Sequence, residues 1–204
     1  MNLSSGACAP VSATILQTLR DGTRSEHHQI ERVVRLQDPD LKHDEYIRHL
    51  DRLLPFLQAA EYSLRGWAAD WPPSLTIQRR FKTRLIEADL LQLGIAPRAP
   101  GEPVPFQLAT LSHAWGCLYV LEGSTLGGQV LSRHIYKTLG IHRLTGGSYF
   151  CGYGLETGPM WQAFRSSLVT FVELGGDSQS IVSGAKHTFT ALTEWLGASF
   201  GQRH

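Results

Sequence analysis

Apolar residues recur at intervals of three and four along most of this chain, and almost nowhere do they alternate with polar ones. In the first such stretch, one face collects Leu16, Leu19, Thr23, His27, Ile30 and Val34. This is the period of an α-helix with one buried face. Similar stretches cover residues 12–36, 44–69, 74–93, 106–139, 160–174 and 178–200. The pattern predicts an all-α fold, a compact helical bundle in a single domain over residues 1–204, with a flexible tail at 1–11.

Proline and glycine mark the breaks between these helices. Pro55 lies inside the second helix and is expected to kink it, because proline removes a backbone hydrogen bond and clashes with the preceding turn. Pro97, Pro100 and Pro103, with Pro105 at the end of the segment, predict a loop over residues 96–105. Six glycines between residues 140 and 159 predict a long connection before the last two helices.

Charge and cysteine content exclude several classes of protein. Among the 204 residues, 19 are Lys or Arg and 18 are Asp or Glu, which gives a net charge of +1. This balance removes the electrostatic reason to expect binding to nucleic acid or to an anionic membrane. No apolar run is long enough to cross a bilayer, so no membrane association is expected. The three cysteines have no metal-ligand spacing, and we expect reduced thiols in a cytoplasmic protein.

Two adjacent histidines in the first helix occupy different faces. His27 lies on the apolar face and His28 is turned about 100° away, so we expect His27 to face the interior and His28 to face water. An ordinary buried histidine with a hydrogen bond is one explanation of His27. Glu31 favours another, because a carboxylate one turn on can fix the ring tautomer and leave the second nitrogen as a metal ligand. One histidine backed by a carboxylate suits haem iron better than a metal ion that needs three or four protein ligands.

The fourth predicted helix carries three glycines within six residues, Gly123, Gly127 and Gly128. Each interior glycine costs about 1 kcal/mol of helix propensity relative to alanine, so their presence indicates a use for the missing side chains. One use is close packing of another helix. The other is a flat ligand lying on exposed backbone, with Ser124 as a nearby polar group and a kinked helix that can bend over the ligand.

Together these two segments resemble one family. Residues 23–31, Thr-Arg-Ser-Glu-His-His-Gln-Ile-Glu, resemble the proximal helix of haem oxygenases, in which a Thr precedes the iron-ligating His by four residues and a Glu follows it by four. Residues 121–131, Leu-Glu-Gly-Ser-Thr-Leu-Gly-Gly-Gln-Val-Leu, resemble their glycine-rich distal helix, in the form of the bacterial branch associated with bacteriophytochromes. The resemblance extends over nearly the whole chain. It implies a haem oxygenase-like bundle with the ligand between the first helix and a glycine-kinked distal helix.

The resemblance also implies roles for matching residues. His27 would ligate the haem iron, and the catalytic residues would be His27, Ser124 and Gly127. Ser124 stands where the animal enzymes have an aspartate that organises water, so ordered water held by Ser124 would deliver protons. The remaining implied residues hold the haem: they support the iron-ligating histidine, let the macrocycle approach the helix backbone, bind a propionate or line the pocket. They are Arg20, Glu31, Tyr119, Gly123, Gly127, Gly128, Arg165 and Phe189.

The implied activity is oxidative cleavage of haem, as both substrate and cofactor, to biliverdin with release of iron and carbon monoxide. Molecular oxygen is the co-substrate, and electrons would come from an external ferredoxin or reductase, because the sequence has no flavin or nicotinamide motif. A bacteriophytochrome would consume the biliverdin. Two alternatives stay open: a haem-binding or haem-carrier protein without turnover, and a helical-bundle enzyme acting on a thiamine-related or quinone-related molecule. A di-iron bundle is disfavoured, because the sequence has no pair of Glu-x-x-His motifs.

Overall fold

The computed structural model describes residues 11–96 and 104–198, with side chains from Ile15 onward. In these ranges the chain forms α-helices and no β-strand: α1 (Val11–Gly22), α2 (Arg24–Val33), α3 (His43–Arg65), α4 (Thr83–Gln92), α5 (Leu111–Leu139), α6 (Ser148–Cys151), α7 (Thr157–Glu173) and α8 (Ser178–Gly197). Short 3-10 turns occupy Pro73–Leu75, Ile77–Arg80 and Gly154–Glu156. The all-α prediction is confirmed. The predicted tail at 1–11 lies outside the described residues, apart from Val11, where α1 begins.

The first predicted helix, 12–36, is two helices that meet at Thr23, and the second ends before the predicted boundary. Gly22 allows a close helix approach at this point, because a Cβ there would lie 2.9 Å from Cγ1 of Val182 on α8. The buried hydroxyl of Thr23 donates to the carbonyl oxygen of Leu19 at 2.8 Å. Such a side-chain bond competes with regular helix hydrogen bonding. The break between α1 and α2 therefore has two causes, the close packing of Gly22 on α8 and the hydrogen bond of the Thr23 hydroxyl.

The third predicted helix, 74–93, is wrong in its first half, where two 3-10 turns precede α4. Thr76, between the turns, has a φ of +47°, in the left-handed region that a helix does not use. Arg80 donates from Nε to a carbonyl oxygen in the same segment at 2.9 Å. It also donates from Nη1 to Glu122 of α5. A tertiary ion pair thus holds this segment in a compact, non-helical form.

Other boundaries differ by smaller amounts. α5 starts five residues later than predicted, because Phe106 is buried in a segment without regular structure and Thr110 caps the helix by accepting the backbone N–H of His113 at 3.2 Å. The predicted connection at 140–159 contains α6 and the start of α7. α3 continues on both sides of Pro55, and α5 is continuous across its glycines.

α5 is the central helix and packs most extensively against α8. Two glycines make the crossing possible: a Cβ at Gly116 would lie 2.1 Å from the carbonyl oxygen of Ile181, and one at Gly184 would lie 2.4 Å from that of His113. α2 also packs on α8. As a result, α8 fixes α2 and α5 relative to each other, and a cleft remains between them. Across residues 11–96 and 104–198, none of the helices combines the length and the hydrophobicity that a membrane span requires.

Candidate functional site

A cleft of about 1000 Å³ opens between α2 and α5. Residues of α8 form a third wall, and residues of α3 and α6 also line the cleft. Its volume lies at the upper end of the range for small-molecule and cofactor pockets. All but one of the residues that the sequence predicts for the site line this cleft: Arg20, His27, Glu31, Tyr119, Gly123, Ser124, Gly127, Gly128 and Phe189.

Arg165 is the exception. It lies on α7, half-buried, and the structure does not bring it to the cleft wall. The residue that α7 contributes there is Trp161, one turn earlier. The predicted contact between Arg165 and a ligand is therefore not supported by its position, because the helical register presents an aromatic residue instead.

His27 stands on the α2 wall with its side chain 55% exposed. The expectation that it faces the interior is wrong in this respect, because the interior here is an open cleft; His28 is also exposed and lines the same space. Nδ1 of His27 lies 3.5 Å from Oε2 of Glu31. The ring packs edge-on against Phe189, with centroids 5.7 Å apart. Nε2 has no side-chain hydrogen-bond partner within the described residues, so it is the nitrogen available to a ligand.

The three glycines of α5 that the sequence predicts for the site have different surroundings. A Cβ at Gly127 would meet no atom within 4 Å, and one at Gly123 would come only within 3.9 Å of Trp161. A Cβ at Gly128 would lie 2.9 Å from the carbonyl oxygen of Phe150. Of the two uses considered for these glycines, exposed backbone therefore fits Gly123 and Gly127, whereas close packing explains Gly128.

Ser124 and Tyr149 form a polar spot on the cleft wall. The exposed hydroxyl of Ser124 donates to the carbonyl oxygen of Leu121 at 2.8 Å, which leaves its lone pairs able to accept. Burial raises the pKa of the Tyr149 phenol, and its interaction with Ser124 acts in the opposite direction. Tyr149 belongs to the segment predicted as a connection, so no sequence pattern singled it out.

Basic side chains that line the described part of the cleft differ in whether they are already paired. Arg24, Arg35 and Lys82 each form an ion pair with a carboxylate, at 2.9, 2.9 and 3.0 Å. Arg20 has no carboxylate partner among the described residues. Tyr119 lies near it. Burial raises the pKa of the Tyr119 phenol, while a hydrogen bond with Thr23 and the positive charge of Arg20 lower that pKa. Arg20 is thus the cleft cation that an anionic group of a ligand can meet.

A buried ion network lies behind the α5 wall. Glu122, 1% exposed, accepts hydrogen bonds from Nη1 of Arg80, from Nζ of Lys82 at 3.0 Å and from the hydroxyl of Tyr153 at 2.6 Å. Burial lowers the pKa of Lys82, and Glu122 opposes that effect. Lys82 also lines the cleft. The sequence analysis missed these residues because they come from three separate segments, which no local spacing connects.

No protein-family model matches this chain, and no curated protein matches it significantly. Among solved structures, an NO- and CO-bound haem oxygenase from Neisseria meningitidis superposes with a TM-score of 0.80 at 22% sequence identity, covering 93% of this chain and 94% of that one. A haem oxygenase from Leptospira interrogans superposes with a TM-score of 0.76 at 18% identity, covering 93% of this chain and 100% of the other. The chain therefore has the fold of these haem oxygenases.

Proposed function

We propose that this chain binds haem in the cleft between α2 and α5 and cleaves it oxidatively to biliverdin, with release of iron and carbon monoxide. The observation that carries the proposal is the position of His27, whose half-exposed ring stands on one wall while Gly127 leaves bare helix backbone on the α5 wall. The fold that this chain shares with two haem oxygenases supports the same activity.

His27 would hold the iron through Nε2. Glu31, beside Nδ1, would accept the other ring N–H, fix the tautomer and raise the basicity of the ligating nitrogen. Phe189 would keep the ring in place by its edge-on contact. The open space at Gly123 and Gly127 would let a flat macrocycle lie against the backbone of α5.

Arg20 and Tyr119 would orient the macrocycle. Arg20 is free of carboxylate partners among the described residues, and a guanidinium binds a carboxylate strongly through paired hydrogen bonds. A propionate at Arg20, next to the Tyr119 hydroxyl, would set the rotation of haem in its plane. The rotation in turn decides which ring carbon faces the reacting oxygen.

Bound haem supplies the iron that activates molecular oxygen and the macrocycle that is oxidised. The protein supplies orientation and protons. Ser124 offers accepting lone pairs at the α5 wall, and Tyr149 beside it stays protonated because burial raises its pKa. A neutral imidazole ligand, unlike a thiolate, does not promote O–O cleavage, which favours oxidation of the ring.

The same proposal includes an electron donor, a consumer of the product and a cellular compartment. Electrons would come from a ferredoxin or a reductase, because the sequence has no flavin or nicotinamide motif. The motif at residues 121–131 supports a bacteriophytochrome as the consumer of biliverdin. We place this single-domain protein in the cytoplasm, as its thiol content favours.

The first test follows the visible spectrum of the protein with one equivalent of hemin, before and after a reductant is added in air. We expect a sharpened Soret band that then decays to the broad absorption of biliverdin. Tight binding without decay, also with a ferredoxin system, would instead support the haem-carrier alternative. An unchanged hemin spectrum would support an enzyme that acts on another small molecule.

The assignment of the iron ligand is tested by His27→Ala, with His28→Ala as its matched control. His27→Ala is expected to abolish biliverdin formation and to change the Soret band, because the iron loses its protein ligand. His28→Ala should retain both, since no carboxylate backs that ring. Circular dichroism checks that both variants keep their helices. Loss of activity in the His28 variant alone would show that the assignment is reversed.

A further inference from the structure

Most of the exposed large apolar side chains in the described part of the chain come from one segment, residues 126–155. This segment supplies five of them: Leu126, Val130, Tyr136, Leu144 and Leu155. All other described residues together supply three: Tyr62, Leu91 and Leu174. Single apolar residues are normal on a protein surface, whereas a cluster of them marks a contact with a partner.

The three parts of this segment adjoin one another in space. Nε2 of Gln129 on α5 donates to the carbonyl oxygen of Gly154 at 3.4 Å, which places the turn that carries Leu155 beside α5. Nη1 of Arg143 lies 3.1 Å from the position that a Cβ would take at Gly154. The rings of Tyr136 and His142 have centroids 6.2 Å apart. α5, the loop before α6 and the turn at Gly154 therefore form one surface.

The exposed side chains of α5 in this surface share one helix face. Steps of four, three and four residues lead from Leu126 to Val130, Arg133 and Lys137, and all four side chains are exposed. Such steps keep side chains on one side of a helix. Leu126 also lines the cleft. The surface therefore begins at the rim of the cleft and continues away from it along α5.

The charge of this surface has a single sign. Residues 123–155 contain no Asp or Glu. Arg133, Lys137 and Arg143 are exposed, and none of them has a carboxylate partner among the described residues. Glu156, the next acidic residue along the chain, is already paired with an arginine. Exposed apolar side chains and unpaired cations thus lie side by side.

This combination is the one that a protein needs to lie on a lipid bilayer without crossing it. Apolar side chains enter the boundary between headgroups and acyl chains, and Lys and Arg attract anionic headgroups. The expectation of no membrane association depended on the net charge of +1 and on the length of apolar runs. Neither quantity describes where exposed side chains lie in the folded protein.

The shape of the surface favours lipid over an acidic protein. Leu155 is fully exposed on a 3-10 turn, and Leu144 is 76% exposed on a separate loop. A protein partner would need a complementary pocket for each of these side chains. A fluid bilayer accepts protruding apolar side chains without a preformed pocket. Tyr136 is of a residue type enriched at the membrane–water interface.

We propose that the second half of α5, the loop before α6 and the turn at Leu155 dock on an anionic lipid bilayer. Arg133, Lys137 and Arg143 contact the headgroups, and Leu144 and Leu155 enter the layer beneath them. This docking does not require haem. If the proposed function holds, the docked surface brings the rim of the cleft to the bilayer, from which an apolar macrocycle can pass into the cleft.

The docking is tested by sedimenting the haem-free full chain with vesicles. We expect binding to vesicles of phosphatidylcholine and phosphatidylserine in equal parts, weaker binding at high salt, and little binding to phosphatidylcholine alone. Combined substitution Arg133→Gln, Lys137→Gln and Arg143→Gln should weaken binding about a hundredfold. Leu144→Ser with Leu155→Ser should weaken it about tenfold.

Two matched control variants change the same residue types elsewhere on the surface. Arg32→Gln, Arg48→Gln and Lys186→Gln together remove the same charge from exposed positions outside the segment. Leu91→Ser with Leu174→Ser removes two other exposed leucines. Both controls should bind the mixed vesicles like the wild type. Circular dichroism checks that all variants keep their helices.

The proposal would be overturned by a wild type that leaves the mixed vesicles unbound, or by equal losses in the cation variant and its charge control. Without vesicle binding, capture of an acidic iron–sulfur ferredoxin that the cation variant loses would assign the surface to a protein instead. A wild type that binds vesicles but never turns hemin over would refute the proposed function and still support the lipid surface.

Discussion

Side chains in the cleft differ in whether another side chain of the protein already pairs with them. Arg24 and Arg35 are paired with carboxylates, so a ligand would have to compete for them. Within the described residues, Arg20, Nε2 of His27 and the ring of His49 have no such partners. A ligand that brings a carboxylate and a metal ion to this cleft therefore meets free groups of the matching kind.

Arg20→Gln tests whether that free cation matters. We expect hemin binding to weaken about tenfold, because a charge-assisted hydrogen bond to a carboxylate is lost. The weakening should shrink at high salt, since Arg20 is exposed. Arg165→Gln is the matched control and should bind hemin like the wild type, because Arg165 does not reach the cleft. Titration of the Soret band measures both, and a larger effect at Arg165 would contradict this site geometry.

His49 of α3 makes stability depend on pH, because burial and then the charge of Arg52 lower its pKa. Its pKa is about 4 in the folded chain against 6.5 ordinarily, so between these values the unfolded chain binds a proton that the folded chain does not. The free energy of unfolding therefore falls as pH falls, and His49 accounts for about 2 kcal/mol between about pH 7 and pH 5.

Chemical denaturation of wild type and His49→Phe at both pH values isolates this contribution. The wild type should lose about 2 kcal/mol more than the variant between about pH 7 and pH 5. The other charged side chains that line the small pocket at His49 are common to both proteins: Arg35, Asp38, Glu45, Arg48 and Arg52. An equal loss in the two proteins would show that His49 is not held neutral by burial.

At the scale of elements, α5 both packs against neighbouring helices and lines the cleft, and different glycines serve these two roles. Gly116 and Gly128 lie where other backbone segments come within contact distance, whereas Gly127 faces open space. The first two glycines therefore serve the packing of α8 and α6. The third leaves the helix backbone accessible in the cleft, at a cost in helix propensity that packing does not recover.

Alanine at Gly127 and Gly128 should change stability in opposite directions. Gly128→Ala is expected to lower the free energy of unfolding by about 1–2 kcal/mol, because its Cβ would press on the backbone of α6. Gly127→Ala should raise it by up to about 1 kcal/mol through helix propensity, yet weaken hemin binding by filling the cleft. Denaturation and hemin titration measure the two effects. Stabilisation by both alanines would contradict the packing role of Gly128.

Sequence periodicity located the long helices but not every boundary. α5, α7 and α8 lie inside or close to their predicted ranges. The range 74–93 was half wrong, because Arg80 is held by a partner on a distant helix. Helical spacing reports neighbours three and four residues apart, and it contains no information about such a partner.

At the scale of the whole molecule, the Glu122 network joins the segment before α4 to α5 and to Tyr153. Glu122→Gln would leave Arg80 and Lys82 buried without their counter-charge, and we expect a loss of about 3–5 kcal/mol in the free energy of unfolding.

The matched control is Glu156→Gln, which breaks a pair with Arg79 whose N–O distance is 4.0 Å and whose side chains are 65% and 67% exposed. Its effect should stay within about 0.5 kcal/mol. Guanidinium chloride unfolding measures both variants. A loss at Glu122 as small as that at Glu156 would show that the network does not support the fold.

The sequence by itself determined the helical class and the one-turn spacing of His27 and Glu31, because both depend on residues close together in the chain. It also supplied nine of the residues that line the cleft. Only the tertiary structure decided that His27 stands half-exposed, that Gly127 and Gly128 serve different purposes, and that His49 is buried. These features depend on how α2, α5 and α8 approach one another. That approach is set by contacts between distant segments, which local periodicity does not encode.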